Sequence, residues 1–196
     1  RDVAPPNILI GFDGSVKLID LSIAQVNLER SDAAHKGVFS GRLGYSAPEV
    51  LAGFEVGPAS DLFGLAATLY ELLIGEPCFI RGTPHTTIDA VAKGEFNPIL
   101  KARPDVSPRL AYAIERGLSH LPRSRFKSLA AFREALLREG TETDPAGCME
   151  ALLETHFGDL RVRERDAIER MRRSAAGLFV SAAVESPPTR ALRGGH

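Results

Sequence analysis

The sequence feature that most constrains the fold is a continuous helical pattern between Pro58 and Ile74. Apolar residues recur through it at helical spacing, and Gly75 stands where the helix would end. Because little of the circumference of this helix is polar, we expect other helices to cover most of its sides. The pattern predicts a mainly α fold built around a central helix. Weaker helices are predicted at about 84–93, 107–120 and 128–139, with Ser107-Pro108 and Ser128 as helix starts. Of the 196 residues, 44% are apolar, which is enough for a sizeable core.

A short β-hairpin is predicted at residues 7–20, ahead of the helical region. Two apolar strands flank Asp13-Gly14, a dipeptide typical of tight turns because these residue types tolerate positive φ. Asn7 and Asp20 fall at the open end of this hairpin, and Asp2 lies five residues before Asn7. Carboxylate and amide oxygens suit Mg²⁺, which also binds substrate phosphates, and a further carboxylate can orient or deprotonate an attacking hydroxyl. The pattern therefore favours phosphoryl transfer.

Six motifs, in order along the chain, resemble those of the protein kinase family, in particular the eukaryotic-like Ser/Thr kinases of bacteria. They are Arg1-Asp2 with Asn7, Asp20-Leu21-Ser22, Gly44-Tyr45-Ser46-Ala47-Pro48-Glu49, Ser60-Asp61-Leu62-Phe63, Leu69-Tyr70-Glu71-Leu72-Leu73 with Gly75 and Pro77, and Pro122 with Arg125-Phe126. One such motif would be weak evidence, whereas six at sensible spacings are strong. The resemblance covers residues 1–139. It implies the mainly helical C-terminal lobe of a kinase, with a small β-hairpin and without the N-terminal lobe.

The resemblance implies a role for each polar residue near the hairpin. Asp2 would be the catalytic base or would orient the substrate hydroxyl, and Asn7 and Asp20 would bind Mg²⁺ beside the phosphates of ATP. The parent protein would then transfer the γ-phosphate of ATP to Ser or Thr hydroxyls of a protein substrate. The chain as given has no Gly-rich phosphate loop and no strand Lys with its helix Glu. On its own it is therefore expected to be inactive.

Three more residues receive structural roles from the same resemblance. Asp61 would accept hydrogen bonds from backbone amides of the catalytic loop. Glu49 and Arg125 would form a buried ion pair that braces the substrate platform. Breaking a buried pair typically costs about 3–5 kcal/mol, because one charge is left buried alone.

Three positions depart from the family pattern near the chemistry. Ala4 stands where Ser/Thr kinases carry Lys, Ser22 replaces the Gly of the D-F-G motif, and Arg42 replaces a Thr that normally contacts the catalytic Asp. We hypothesise that Arg42 supplies the positive charge that is missing at Ala4. The alternative is a pseudokinase, a scaffold that keeps the fold and binds partners without catalysis. The survival of all three oxygen-bearing side chains favours activity.

A long loop is predicted at residues 21–45, and loops of this length are usually functional or mobile. Ser31 and Ser40 are candidate phosphorylation sites in it, although serines are common in surface loops and an ordinary loop role is favoured for each. After this lobe, residues 140–176 are predicted to be a helical extension. The apolar stripe from Leu152 to Leu160 is predicted to be a packing face for the lobe or for a partner helix, and the predicted partner-helix range is 144–173. The composition of 177–196 predicts a disordered tail.

Bulk properties exclude several classes of function. The net charge of −1 argues against a nucleic-acid partner, and no apolar run approaches the roughly 20 residues of a membrane span. The two cysteines are far apart in sequence, which favours a reducing, cytoplasmic compartment over a disulfide framework. No Met precedes Arg1. We therefore expect the chain to be part of a longer protein, in which a membrane segment upstream of Arg1 is an open alternative. A reading frame that begins at Arg1 is the other alternative.

Overall fold

A computed structural model describes residues 2–19, 42–138 and 144–184, with side chains through residue 174. Its contacts divide the chain into two units. The first comprises the residues up to Gly11 together with Ser15–Pro145, and the second comprises Phe12–Gly14 and the chain from Ala146 onwards.

The predicted hairpin is present. Strand β1 (Ile8–Ile10) pairs with β2 (Val16–Leu18) in antiparallel register, with Ile8 opposite Leu18. The backbone N–H of Ile19 donates to the carbonyl of Asn7 at 2.8 Å, which places Asn7 at the open end of the hairpin. A short 3₁₀ helix, Pro5–Asn7, leads into β1.

The helices of the first unit surround the predicted central helix. In chain order they are α1 (Pro48–Leu51), α2 (Pro58–Ile74), α3 (Pro84–Lys93), α4 (Ile99–Ala102), α5 (Pro108–Gly117) and α6 (Leu129–Leu137). This mainly helical architecture with one small hairpin confirms the predicted fold class. The predicted starts near Ser107 and Ser128 are also confirmed, since both side chains accept hydrogen bonds from amides of the first turn that follows.

The core lies along α2, which packs against α4, α5 and α6. Phe63 of α2 stacks on Phe79 with ring centroids 5.6 Å apart, and Phe79 in turn contacts Phe96 edge-on. Gly117 of α5 faces Ala66 so closely that a Cβ there would lie 2.7 Å from the Ala66 Cβ. Burial does not extend over the whole predicted helix, because Leu72 near its C-terminus is 72% exposed.

The second unit contains the helical region α7 (Pro145–Val184), which continues past the predicted boundary at 176. Phe157 has non-helical dihedrals (φ −136°, ψ 16°), so two helices meet there at a kink. The guanidinium of Arg161 lies 6.0 Å from the centre of the Phe12 ring. In the described part of the chain, no helix combines the length and the apolar character that crossing a bilayer requires.

Candidate active site

Asp2 and Asn7 are joined directly. The 3₁₀ turn closes when the Asn7 N–H donates to the Ala4 carbonyl at 2.9 Å, and this turn directs the Asn7 side chain back toward Asp2. The amide nitrogen Nδ2 then donates both to the Asp2 carbonyl, at 2.7 Å, and to Asp2 Oδ2, at 2.9 Å. Asn7 is only 2% exposed. A buried side chain with two such bonds fixes the conformation of the loop that carries Asp2.

Arg42 reaches the same carboxylate from the other end of the undescribed segment 20–41. Its Nη1 donates to Asp2 Oδ2 at 2.7 Å, so Asn7 and Arg42 share one carboxylate oxygen. The side chains are 36% exposed for Arg42 and 16% exposed for Asp2. Ala4, where a family lysine is missing, is fully buried. The structure thus places a cation beside Asp2 and an alanine methyl group at position 4.

The loop that carries Asp2 packs against α2 at a glycine. A Cβ at Gly64 would lie 2.7 Å from the Val3 carbonyl oxygen and 3.2 Å from that of Tyr45. Only a residue without a side chain lets both backbone segments approach the helix this closely. Asp61 lies in the first turn of α2, half-buried and on the same face as Gly64, because residues three apart are neighbours on a helix. Its binding to loop amides stays a prediction.

Tyr45 connects the segment after Arg42 to the last turn of α2. Its hydroxyl donates to Glu71 Oε2. Burial raises the pKa of Tyr45 well above its ordinary value, and the hydrogen bond to Glu71 and the charge of Glu71 raise it further. The phenol therefore stays protonated and remains a donor across the physiological range of pH.

Glu49 and Arg125 form a bidentate ion pair. Nη1 of Arg125 lies 2.7 Å from Glu49 Oε1 and Nη2 lies 2.8 Å from Oε2. The Arg125 side chain is 0% exposed, and it also donates to the carbonyls of Ala59, Ser119 and His120. Burial alone would raise the pKa of Glu49, but hydrogen bonds from Arg125, the backbone and Ser60 outweigh it and hold the pKa below the ordinary value.

Several predicted site residues lie outside the described residues: Asp20, Ser31 and Ser40. Within the described ranges, no group of three His, Cys, Asp or Glu side chains could hold a metal ion. Of the two predicted Mg²⁺ ligands, Asn7 lies within the described residues. Asn7 turns its nitrogen toward Asp2, so its amide oxygen, a hard ligand of the kind Mg²⁺ takes, lies on the opposite side of the amide group.

Sequence reasoning missed two of these contacts. The sequence does contain a signal for the contact of Gly64 with Val3, because a glycine inside a strong helical pattern usually has a packing or functional reason. The sequence contains no signal for the bond between Tyr45 and Glu71. Both residues lie in motifs that the resemblance explains, and nothing in their spacing pairs them.

The protein kinase domain model matches residues 1–137. Among curated proteins, the chain is 33% identical over 171 residues to the tyrosine-protein kinase MasK of Myxococcus xanthus, which covers 86% of this chain and 26% of that protein. It is 31% identical over 147 residues to the serine/threonine-protein kinase PknB of Mycolicibacterium smegmatis (74% and 24%). It is 32% identical over 198 residues to the serine/threonine-protein kinase PknK of Mycobacterium tuberculosis (98% and 17%).

The family match covers more than half of the chain, so this chain belongs to the protein kinase domain family. This confirms the resemblance carried by the six motifs. The chain spans about a quarter or less of the length of these relatives.

Proposed function

We propose that the full-length protein is an ATP-dependent protein kinase that phosphorylates Ser or Thr hydroxyls, with Asp2 at its catalytic centre. The observation that carries this proposal is the Asp2 carboxylate, held by Asn7 and Arg42 in a chain of this family. Phosphoryl transfer needs positioning and charge neutralisation more than covalent chemistry. The Asp2 carboxylate, fixed beside the Arg42 cation, meets the need for positioning.

The residues of this chain divide the work as follows. Asp2 accepts a hydrogen bond from the substrate hydroxyl and takes its proton as phosphate is transferred. Asn7, together with Asp20, would hold Mg²⁺, which when bound neutralises charge on the ATP phosphates. Glu49 and Arg125 keep the segment that faces the substrate in place.

The class of hydroxyl is the finer part of the proposal. PknB and PknK are named Ser/Thr kinases and MasK is named a tyrosine kinase, so the relatives favour Ser/Thr without agreeing on it. Phosphoamino-acid analysis of substrate or autophosphorylated protein distinguishes the two. We expect phosphoserine and phosphothreonine, and phosphotyrosine alone would overturn this assignment.

The test is transfer of labelled γ-phosphate by the full-length protein. Asp2→Asn should lower the rate by about 10²- to 10⁴-fold, the usual contribution of a positioned acid or base. Asp20→Asn tests the second predicted Mg²⁺ ligand. Asp89→Asn is the matched control, because Asp89 lies on α3 with a half-exposed side chain and should leave the rate unchanged. Wild-type protein that binds ATP yet transfers no phosphate would contradict the proposal.

A pseudokinase scaffold is the second candidate function. The departures at Ala4 and Ser22 favour it, as do exposed apolar side chains on α7 within the predicted partner-helix range 144–173. Leu152, Leu160 and Met171 are 52%, 51% and 64% exposed. The same phosphotransfer assay decides between the two functions.

The compartment is also a proposal. Cys78 and Cys148 are both free thiols, and Cys78 is buried. Two unpaired cysteines suit a reducing compartment, so we place this part of the protein in the cytoplasm. Oxidation of both thiols in freshly isolated protein would contradict this placement.

A further inference from the structure

We propose that Arg42 is a positioning residue for Asp2: it fixes the carboxylate so that Oδ1 is the oxygen presented to the substrate hydroxyl. This inference rests on the proposed kinase function and deepens it. Its basis is the shared oxygen, since Asn7 Nδ2 and Arg42 Nη1 both donate to Oδ2, at 2.9 and 2.7 Å. The hydrogen bonds from these two side chains go to Oδ2 and to the Asp2 carbonyl, and neither goes to Oδ1.

Two donors on one oxygen define the orientation of a carboxylate. With a single donor, the group can rotate about its Cβ–Cγ bond and exchange its two oxygens. The second donor approaches from a separate part of the chain, 40 residues away, and opposes this rotation. Because Arg42 is a cation, its bond is charge-assisted and stronger than a neutral one.

A purely structural role for Arg42 fits the surroundings less well. The side chain is 36% exposed, and ion pairs of such exposure contribute little to stability. The turn that contains Arg42 is held by its backbone, whose carbonyl accepts from Tyr45 N–H at 3.1 Å and from Ser46 Oγ at 3.3 Å. Replacing the side chain therefore leaves the turn intact while it removes one donor from Asp2.

The charge has a second consequence. Position 4 carries a buried alanine, and the Arg42 guanidinium is the ion-pair partner that the described residues give Asp2. A guanidinium beside the carboxylate offsets the repulsion between Asp2 and the negative charge that develops as the phosphoryl group is transferred. Because this offset acts in the transition state of phosphoryl transfer and not in nucleotide binding, the loss of Arg42 should lower kcat.

The test compares Arg42→Thr and Arg42→Lys in the full-length protein, with Arg123→Thr as a matched control at an exposed arginine. Arg42→Thr should lower kcat about 10- to 100-fold, the scale expected when a reacting group is misplaced, and leave KM for ATP within about twofold. Arg42→Lys should recover part of the loss. An unchanged kcat for Arg42→Thr would overturn the proposal.

A double variant tests whether Arg42 acts through Asp2. In an Asp2→Asn background, Arg42→Thr should cause no further loss of kcat, because the group it positions is already gone. Full additivity of the two losses would overturn the positioning role.

A crystallographic readout separates failure of this inference from failure of the kinase proposal. In Arg42→Thr crystals the Asp2 carboxylate should rotate or become disordered while the turn at residues 42–46 stays in place. If the wild-type protein is inactive, the kinase proposal fails and this comparison alone decides the positioning role. An Asp2 side chain with unchanged conformation and order would overturn it.

Discussion

Two ion pairs tie the same segment, residues 42–51, to the rest of the lobe, and they differ in burial and in the number of bonds. Glu49–Arg125 is bidentate, with an arginine side chain that is 0% exposed. Asp2–Arg42 has one hydrogen bond and an arginine that is 36% exposed. The buried pair is therefore suited to holding the segment, and the partly exposed pair to the positioning role that we propose for Arg42 at Asp2.

The buried pair is tolerated because its guanidinium is fully engaged. Arg125 donates to both Glu49 oxygens and to three backbone carbonyls, and its guanidinium carbon lies 5.0 Å from the centre of the Phe63 ring. These contacts offset the cost of removing two charges from water. Loss of Arg125 would leave the Glu49 carboxylate and three backbone carbonyls without their donor, so we expect it to cause the largest loss of stability.

Arg125→Leu should produce the largest loss of stability. It leaves the Glu49 carboxylate buried without its cation, and breaking such a pair costs about 3–5 kcal/mol. The free energy of unfolding from urea titrations of wild type and variant measures this loss. Arg103→Leu is the matched control, because its pair with Asp105 is exposed and its removal should change the unfolding free energy very little. Equal losses in the two variants would contradict the distinction between the two kinds of pair.

Gly64→Ala should have the next largest effect, because it tests the contact that holds the loop carrying Asp2. The added Cβ would lie 2.7 Å from the Val3 carbonyl oxygen, so the backbone beside Asp2 must move. Overpacking of this kind costs about 1–3 kcal/mol. We expect a lower unfolding free energy and a lower kcat in the full-length protein.

The matched control for Gly64→Ala is Gly82→Ala. A Cβ at Gly82 meets nothing within 4 Å, so that variant should be close to wild type in stability and in kcat. A Gly64→Ala protein that behaves like this control would mean that the loop does not depend on its approach to α2.

The pH dependence of the unfolding free energy is a second test of the Glu49–Arg125 pair, in which Glu49 loses its charge by protonation. The pKa of Glu49 in the folded state lies below its ordinary value of 4.5, so the folded state binds fewer protons than the unfolded state. The contribution of Glu49 is present above pH 4.5 and is lost as the pH falls through the lowered pKa. Urea titrations of wild type and Glu49→Gln across this range measure it. As the pH decreases, the unfolding free energy of wild type should fall more steeply than that of Glu49→Gln. Parallel curves would contradict a lowered pKa for Glu49.

The sequence predicts α2 and α3 at both ends, and α5 and α6 better at their starts than at their ends. Ser107 and Ser128 start helices through bonds to amides two or three residues away, which is a local signal. The ends of α5 and α6, at Gly117 and Leu137, fall short of the predicted 120 and 139. Gly117, the last residue of α5, packs closely against Ala66, a residue 51 positions earlier that no local pattern connects to it.

The candidate site shows the same limit. The motifs pick out Asp2, Asn7, Glu49 and Arg125 because residue types at fixed spacing carry the family resemblance. The distances between them depend on how α2 brings distant segments together, and Gly64 permits that approach. The missing charge at position 4 suggests the bond from Arg42 to Asp2. The sharing of one carboxylate oxygen depends on how segments 40 residues apart pack together, which no sequence pattern encodes.

Arg42→Thr should have the smallest effect on stability. The pair with Asp2 is partly exposed, and pairs of this type contribute at most about 1 kcal/mol. Added salt should reduce the difference in unfolding free energy between wild type and Arg42→Thr, because charges near solvent are screened over about 10 Å at 0.1 M salt. The loss caused by Arg125→Leu should persist in the same salt series, since its partners are shielded from ions. If both losses fell equally with salt, the two pairs would share one environment, and Arg42 would be as structural as Arg125.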